Sequence, residues 1–141
     1  MPMRRSLIVL AALFTVAAAP PIKPGQWETS NTITAIDMPG DPGGVAKSMV
    51  GKTTVVKACI TAAQAASGPE SLFKATGGKC RYDRFNLAGG RVDAAMSCGP
   101  GGMSSTMSGT MTPTSYQVNG RTKTPMMTMT STTKGRWLGA C

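Results

Sequence analysis

Histidine is absent from this 141-residue chain, and with it the side chain that most often serves as general base or metal ligand near neutral pH. Acids are nearly as scarce. The six that occur, Glu28, Asp37, Asp41, Glu70, Asp83 and Asp93, stand singly, so no carboxylate pair can be nominated for acid–base work. The serines are many but lack an evident activating partner. No Cys-x-x-Cys occurs, which removes the usual catalytic redox pair. Aromatic residues make up only 5% of the chain, so its 11 methionines must supply much of the bulk of any core. Together these shortages leave an enzyme as the third-ranked expectation, with no identifiable catalytic residues and no cofactor.

Long apolar runs are missing too. The longest, Leu7–Val16, is too short to span a bilayer as a retained helix. It follows Arg4-Arg5 and precedes Ala17-Ala18-Ala19, the three parts of a secretory signal peptide. Val16 and Ala18 suit the small-residue positions before a cleavage site, so the cut is expected after Ala18. Residues 1–18 are then the signal, and 19–141 a single exported domain, periplasmic or secreted, with no transmembrane helix. Loss of Arg4 and Arg5 leaves 13 basic residues against six acids, a net charge of +7. The lysines and arginines are dispersed, as on an ordinary solvated surface; an anionic envelope surface is the charged partner such a balance favours, and nucleic acid is not expected of an exported chain.

What the chain does have is glycine and alternation. Cys80–Thr112 reads as three strands joined by two glycine turns. Gly89-Gly90 can take positive φ at both positions, as a two-residue hairpin turn needs. That turn pairs Leu87 with Val92 and Phe85 with Ala94, placing the apolar residues of both strands on one face. Gly99-Pro100-Gly101-Gly102 turns the chain again and sets Cys98 opposite Met103, Met96 opposite Ser105, and Ala94 opposite Met107. The reverse side of the third strand, Ser104, Thr106, Ser108, Thr110 and Thr112, is wholly polar.

Elsewhere, Pro20, Pro21 and Pro24 form a stiff lead-in to a strand from Gly25 to about Met38, with Trp27 as a core anchor. Thr53–Ile60 is a second strand by its β-branched content. Gly51-Lys52-Thr53 resembles the end of a phosphate-binding loop, but the glycine required five residues earlier is Ala46. Residues 62–66 and 69–75 look helical, with Leu72 and Phe73 facing the sheet. Asn119-Gly120 suggests a hairpin turn. A strand follows Pro125, with Met127 and Met129 on one face, and Gly135–Cys141 forms a short final strand. The fold expected is mainly β: a curved antiparallel sheet of six or seven strands with one short helix, stapled by disulfides.

Four cysteines in a small exported chain read as two disulfides. In the two-residue register Cys80 and Cys98 fall on opposite faces of their hairpin. Cys80 is therefore assigned to Cys59, across the helical segment, and Cys98 to Cys141. Met103, Met107 and Met111 recur every fourth residue. Thioethers suit Cu(I), so this trio is the alternative functional site; on a strand, the same spacing also makes them core filler. The leading expectation is a non-catalytic binding or envelope-associated protein, with an apolar small molecule as the other partner class.

Several segments also carry a resemblance. They are Gly25-Gln26-Trp27-Glu28, Val56-Lys57-Ala58-Cys59-Ile60-Thr61, Cys80-Arg81-Tyr82, Gly89-Gly90-Arg91-Val92-Asp93, Gly109–Tyr116 and Arg136–Cys141. In these the chain resembles the exported bacterial family called domain of unknown function 3617. Thr61-Ala62-Ala63 departs from the Thr-Pro-Glu frequent among relatives. The resemblance implies a periplasmic location and supplies no activity, so no functional residue is carried over from it.

Overall fold

A computed structural model of the chain describes residues 22–68, 71 and 79–141. The expected cleavage point, Leu72 and Phe73 lie outside the described residues. Seven strands form one unclosed antiparallel sheet: β1 (Gly25–Asp37), β2 (Thr53–Ile60), β3 (Cys80–Ala88), β4 (Arg91–Cys98), β5 (Met103–Met111), β6 (Ser115–Lys123) and β7 (Thr128–Gly139). Their order is β2-β1-β7-β6-β5-β4-β3. A run of neighbouring hairpins, β3 to β7, is thus completed by β1 and then β2 beyond it.

The glycine turns set the register as their chemistry requires. Gly89 and Gly90 have φ of 57° and 75°, Leu87 faces Val92, and Phe85 faces Ala94. Cys98 pairs with Met103, Met96 with Ser105 and Ala94 with Met107. One face is accordingly closed and the other wet: Val92, Ala94 and Met96 are buried, whereas Ser104, Thr106, Ser108 and Thr110 on β5 are exposed.

Both disulfides differ from the expected pairing. The bonds are Cys59–Cys141 and Cys80–Cys98, with Cα atoms 5.8 and 4.0 Å apart. The Gly89-Gly90 turn itself forms in the expected register. A β-bulge between Tyr82 and Arg84 inserts one residue into β3, and an inserted residue reverses the parity of everything beyond it. Phe85 and Leu87 keep their phase with Val92 and Ala94, while Cys80 comes to lie opposite Cys98. Asp83, the extra residue, is held by hydrogen bonds from the Ser97 hydroxyl and Arg81 Nε. Inside the sheet, Tyr82 and Phe85 now share a face and meet edge-on at 5.4 Å. The other bond spans β1: Cys59 lies opposite Gln26 on β2, Gly139 lies opposite Gln26 on β7, and Cys141 follows it. Loop-closure arguments assign about 3 kcal/mol to the shorter loop and about 4.5 to the longer.

Two smaller expectations also fail. Asn119-Gly120 is not a turn but the middle of β6, where Asn119 Oδ1 accepts a hydrogen bond from Thr132 Oγ1 at 2.8 Å. The turn lies four residues on, at Thr124–Met127, where the Thr124 hydroxyl accepts the Met126 and Met127 amides. The last two expected strands are one, Thr128–Gly139, which pairs with β6 from Thr128 to Arg136 and continues along β1 to Gly139. The single described helix, α1 (Ala62–Ala66), starts at Thr61 despite the family departure. Thr61 Oγ1 accepts from the Gln64 amide, and Gln64 Oε1 accepts from the Thr61 amide, a reciprocal cap in which glutamine does the work of glutamate.

Packing concentrates at one end of the inner face. Ile22, Trp27, Val92 and Met111 form the buried cluster, with Ile60, Phe85, Leu87, Tyr116 and Trp137 against it. Trp27 and Trp137 donate their indole N–H groups to the carbonyls of Lys23 and Pro24 at 2.9 and 3.1 Å, which fastens the proline lead-in over that end. Tyr116 of β6 reaches across β7 to β1: its ring stacks on Trp27 at 5.9 Å and its hydroxyl lies 2.8 Å from Thr29 Oγ1. Strands two apart in a flat sheet would be about 9.5 Å apart, so the sheet curls inward here.

Deleting Asp83 should restore strict alternation in β3, keep the half-buried Phe85 and Leu87 on the inner face, and turn Cys80 away from Cys98. A thiol titration of the folded deletion variant is expected to find two free cysteines where the parent has none; none in the variant would contradict the role given to the bulge.

Candidate functional site

The alternation that buries one face also sorts the charges. In β4, β5 and β6 the inward positions are Val92, Ala94, Met96, then Ser105, Met107, Met111, then Tyr116, Val118, Gly120 and Thr122. On β7 they are Ser131, Thr133, Gly135 and Trp137, and on β1 Trp27, Thr29 and Asn31. Every ionisable lysine, arginine and acid of the paired strands points the other way.

Beyond the packed end, the inner face encloses a cleft of about 730 Å³. It crosses β2, β1, β7, β6 and β5 and is overhung by Gln64 of α1 and by Ser71. Apolar groups line it at Ile22, Ala58, Ile60, Met107 and Val118; neutral hydrogen-bonding groups line it at Thr29, Ser105, Thr122, Ser131 and Thr133. Among the described residues, no charged side chain contributes. Several of these hydroxyls are mutually engaged: Ser105 Oγ lies 3.2 Å from Thr122 Oγ1, and Thr133 Oγ1 donates to Asn31 Oδ1 at 3.1 Å. Such a surface can hold an apolar body and satisfy a few neutral polar groups. A charged group placed there would lack a partner and would carry a desolvation penalty.

The outer face has the opposite character. Glu28 accepts from Arg136 Nε at 2.8 Å and lies 3.7 Å from Lys57 Nζ. The Arg136 hydrogen bond is the main cause holding its carboxyl below the usual glutamate range, with the charges of Arg136 and Lys57 adding to it. Asp83 is lowered in the same way, first by the Ser97 hydroxyl and then by Arg81. Asp93 pairs with Arg84 and raises the guanidinium's already high pKa further. These acids are satisfied on the outside and do not converge on the cleft. Among the described residues no group of three histidine, cysteine or acidic side chains comes together.

The methionine trio does not form a common site. Met103, Met107 and Met111 share the inner face of β5, but along a strand Met103 and Met111 stand about 26 Å apart, beyond the reach of one ion. Met111 is part of the buried cluster, and Met107 lines the cleft. None of the inward hydroxyls emerged from the sequence as a site. Reading Asn119-Gly120 as a turn broke the phase of β6, so that Thr122 and its β7 neighbours could not be assigned to a face. A period-2 pattern carried unbroken from Tyr116 to Lys123 was the signal available.

The family model described as "Protein of unknown function (DUF3617)" matches residues 22–141. The chain belongs to this family. No curated protein and no solved structure matches the chain. The matched span contains all seven strands, both disulfides and every residue that lines the cleft.

The carboxylate clamps predict an acid response. A carboxyl whose folded pKa lies below its unfolded value stabilises the fold above the unfolded value, and that contribution disappears as pH falls through the lowered folded value. Glu28→Gln should therefore lower the melting temperature slightly near neutral pH and flatten its decline on acidification. Melting curves of parent and variant that stay parallel through the acid range would count against the Arg136–Glu28 clamp.

Proposed function

We propose that this chain is an exported, non-catalytic binding protein whose ligand is a neutral, largely apolar molecule held on the inner face of the sheet. The observation that carries the proposal is the uncharged lining of the 730 Å³ cleft in a chain of net charge +9. A cleft of that size lies within the range that takes up small organic ligands. Its mixture of methionine, isoleucine and valine with spaced hydroxyls favours an amphiphile without ionised groups over a carboxylate, a phosphate or a metal ion. The confinement of Glu28, Asp83 and Asp93 to the outer face, each with its own partner, supports a non-catalytic role. The Arg4-Arg5 and Leu7–Val16 segments and the two disulfides support an oxidising, periplasmic setting.

Titration with a fluorescently labelled monoacylglycerol tests this directly. One site per chain is expected, with a labelled fatty acid binding at least about tenfold more weakly, because its carboxylate would go unpaired in the cleft. Ser131→Trp fills the cleft and should abolish binding, whereas Thr132→Trp, its neighbour on the outer face, should leave binding intact. Binding unaffected by Ser131→Trp, or stronger for the fatty acid, would overturn the proposal.

A further inference from the structure

Strand direction brings three connections to the end of the sheet opposite the packed cluster. β4 and β6 run toward this end and turn at residues 99–102 and 124–127; β1 ends there at Asp37, opposite Thr128. The segment 38–52 then folds beside the last residues of β1, with the Ile33 amide donating to the Lys52 carbonyl and the Gly51 amide to the Ile33 carbonyl. These connections make one continuous rim.

Exposed apolar side chains collect on that rim, as a pair of them, Val55 and Val56, does on the edge strand β2. Val45, Met49 and Val50 are 64%, 42% and 41% exposed, and Met126, at the tip of the neighbouring turn, is 76% exposed. Between and beside them stand Lys47, Lys52 and Lys123, all exposed and none ion-paired among the described residues. Of the acids nearby, Asp41 is already engaged, accepting the Ala46 amide at 3.0 Å. Monomeric proteins expose isolated apolar residues freely, but apolar tips gathered at one end and interleaved with cations mark an interaction surface.

We infer that this rim docks on the surface of an anionic phospholipid bilayer, with Val45, Met49, Val50 and Met126 entering the headgroup region and Lys47, Lys52 and Lys123 meeting lipid phosphates. Two features favour lipid over a protein partner. The apolar groups project from two connections, Val45, Met49 and Val50 from segment 38–52 and Met126 from the turn after β6, and a fluid surface can accept them without a matching shape. The lysines carry the charge sign complementary to anionic headgroups, which attract juxtamembrane basic residues within about a Debye length. Docked this way, the sheet stands end-on, its tryptophan end pointing away. Trp27 and Trp137 lie at the far ends of β1 and β7, about 30 Å along the strands from Asp37 and Thr128. The inference concerns where the molecule meets the membrane and holds whatever the cleft binds.

Co-sedimentation with phosphatidylcholine vesicles, with and without phosphatidylglycerol, tests it. The protein is recovered from cells expressing the full chain, its N-terminus read by mass spectrometry, and parent and variants share that N-terminus. Binding is expected only with phosphatidylglycerol present and should fall as salt rises. A Lys47→Gln/Lys52→Gln/Lys123→Gln variant should bind at least about tenfold more weakly, as should Met126→Ser/Val45→Ser, while Lys134→Gln on the outer face should bind like the parent. Orientation is read separately: brominated lipid should quench the emission of a Met126→Trp variant and leave the native tryptophans unaffected. Equal binding to neutral vesicles, full binding by the rim variants, quenching of Trp27 and Trp137 instead, or a rim-dependent dimer with no vesicle binding would each overturn it.

Discussion

One close approach shapes this molecule. At Gly135 the ring of Tyr116 occupies the space a side chain would need: a Cβ placed there would lie 2.0 Å from Tyr116 Cε1. Because β7 offers no side chain at that point, Tyr116 can lie down across it, stack on Trp27 and meet the Thr29 hydroxyl. Three strands are thereby drawn together from one face, and the sheet curls. At Gly109, two strands away on β5, it is backbone that comes close: a Cβ there would lie 2.0 Å from the Gln117 carbonyl oxygen. A glycine within a strand weakens it locally, yet it is also where a backbone or ring can approach most closely. Here the local loss is offset by burial of Trp27, Val92 and Met111 in one cluster.

Curling has a consequence for chemistry. With so few aromatic residues, the chain fills only one end of the concave face. The remainder is lined by methionine, valine and short hydroxyl side chains that do not fill the space, and a cleft results. The charges are kept out by alternation alone. Each strand that contributes a lysine or arginine does so at outward positions, where the acids Glu28, Asp83 and Asp93 find partners. An uncharged interior and a cationic exterior are thus two outcomes of one period-2 pattern, and the rim is where neither face dominates.

Much of the fold could be read from the residues because glycine turns and strict alternation are local signals. Gly89-Gly90 and Gly99–Gly102 fixed the pairing of β3, β4 and β5, and the β-branched run Thr53–Ile60 has the bounds expected of it. What escaped was non-local. The bulge at Asp83 depends on Ser97, which lies 14 residues away, and no property of Cys80-Arg81-Tyr82-Asp83 taken alone announces it. The cysteine assignment rested on unbroken parity along β3 and failed with it. Asn119-Gly120 carries a strong local turn signal that pairing with β5 and β7 on both sides overrides. The cleft was hidden for a related reason: its lining comes from five strands, so its lack of charge becomes visible only when their registers are known together.

Contact across Gly135 bends the sheet and so creates the inner face. Thermal unfolding of Gly135→Ala beside Gly120→Ala tests it most directly, since both glycines lie inward on neighbouring strands but the nearest atom to a Cβ at Gly120 is 3.6 Å away. The account predicts that Gly120→Ala leaves stability within about 0.5 kcal/mol of the parent, whereas Gly135→Ala costs at least about 1–3 kcal/mol, the range for an overpacked core. Equal stability of the two variants, or a Gly135→Ala protein as stable as the parent, would contradict it.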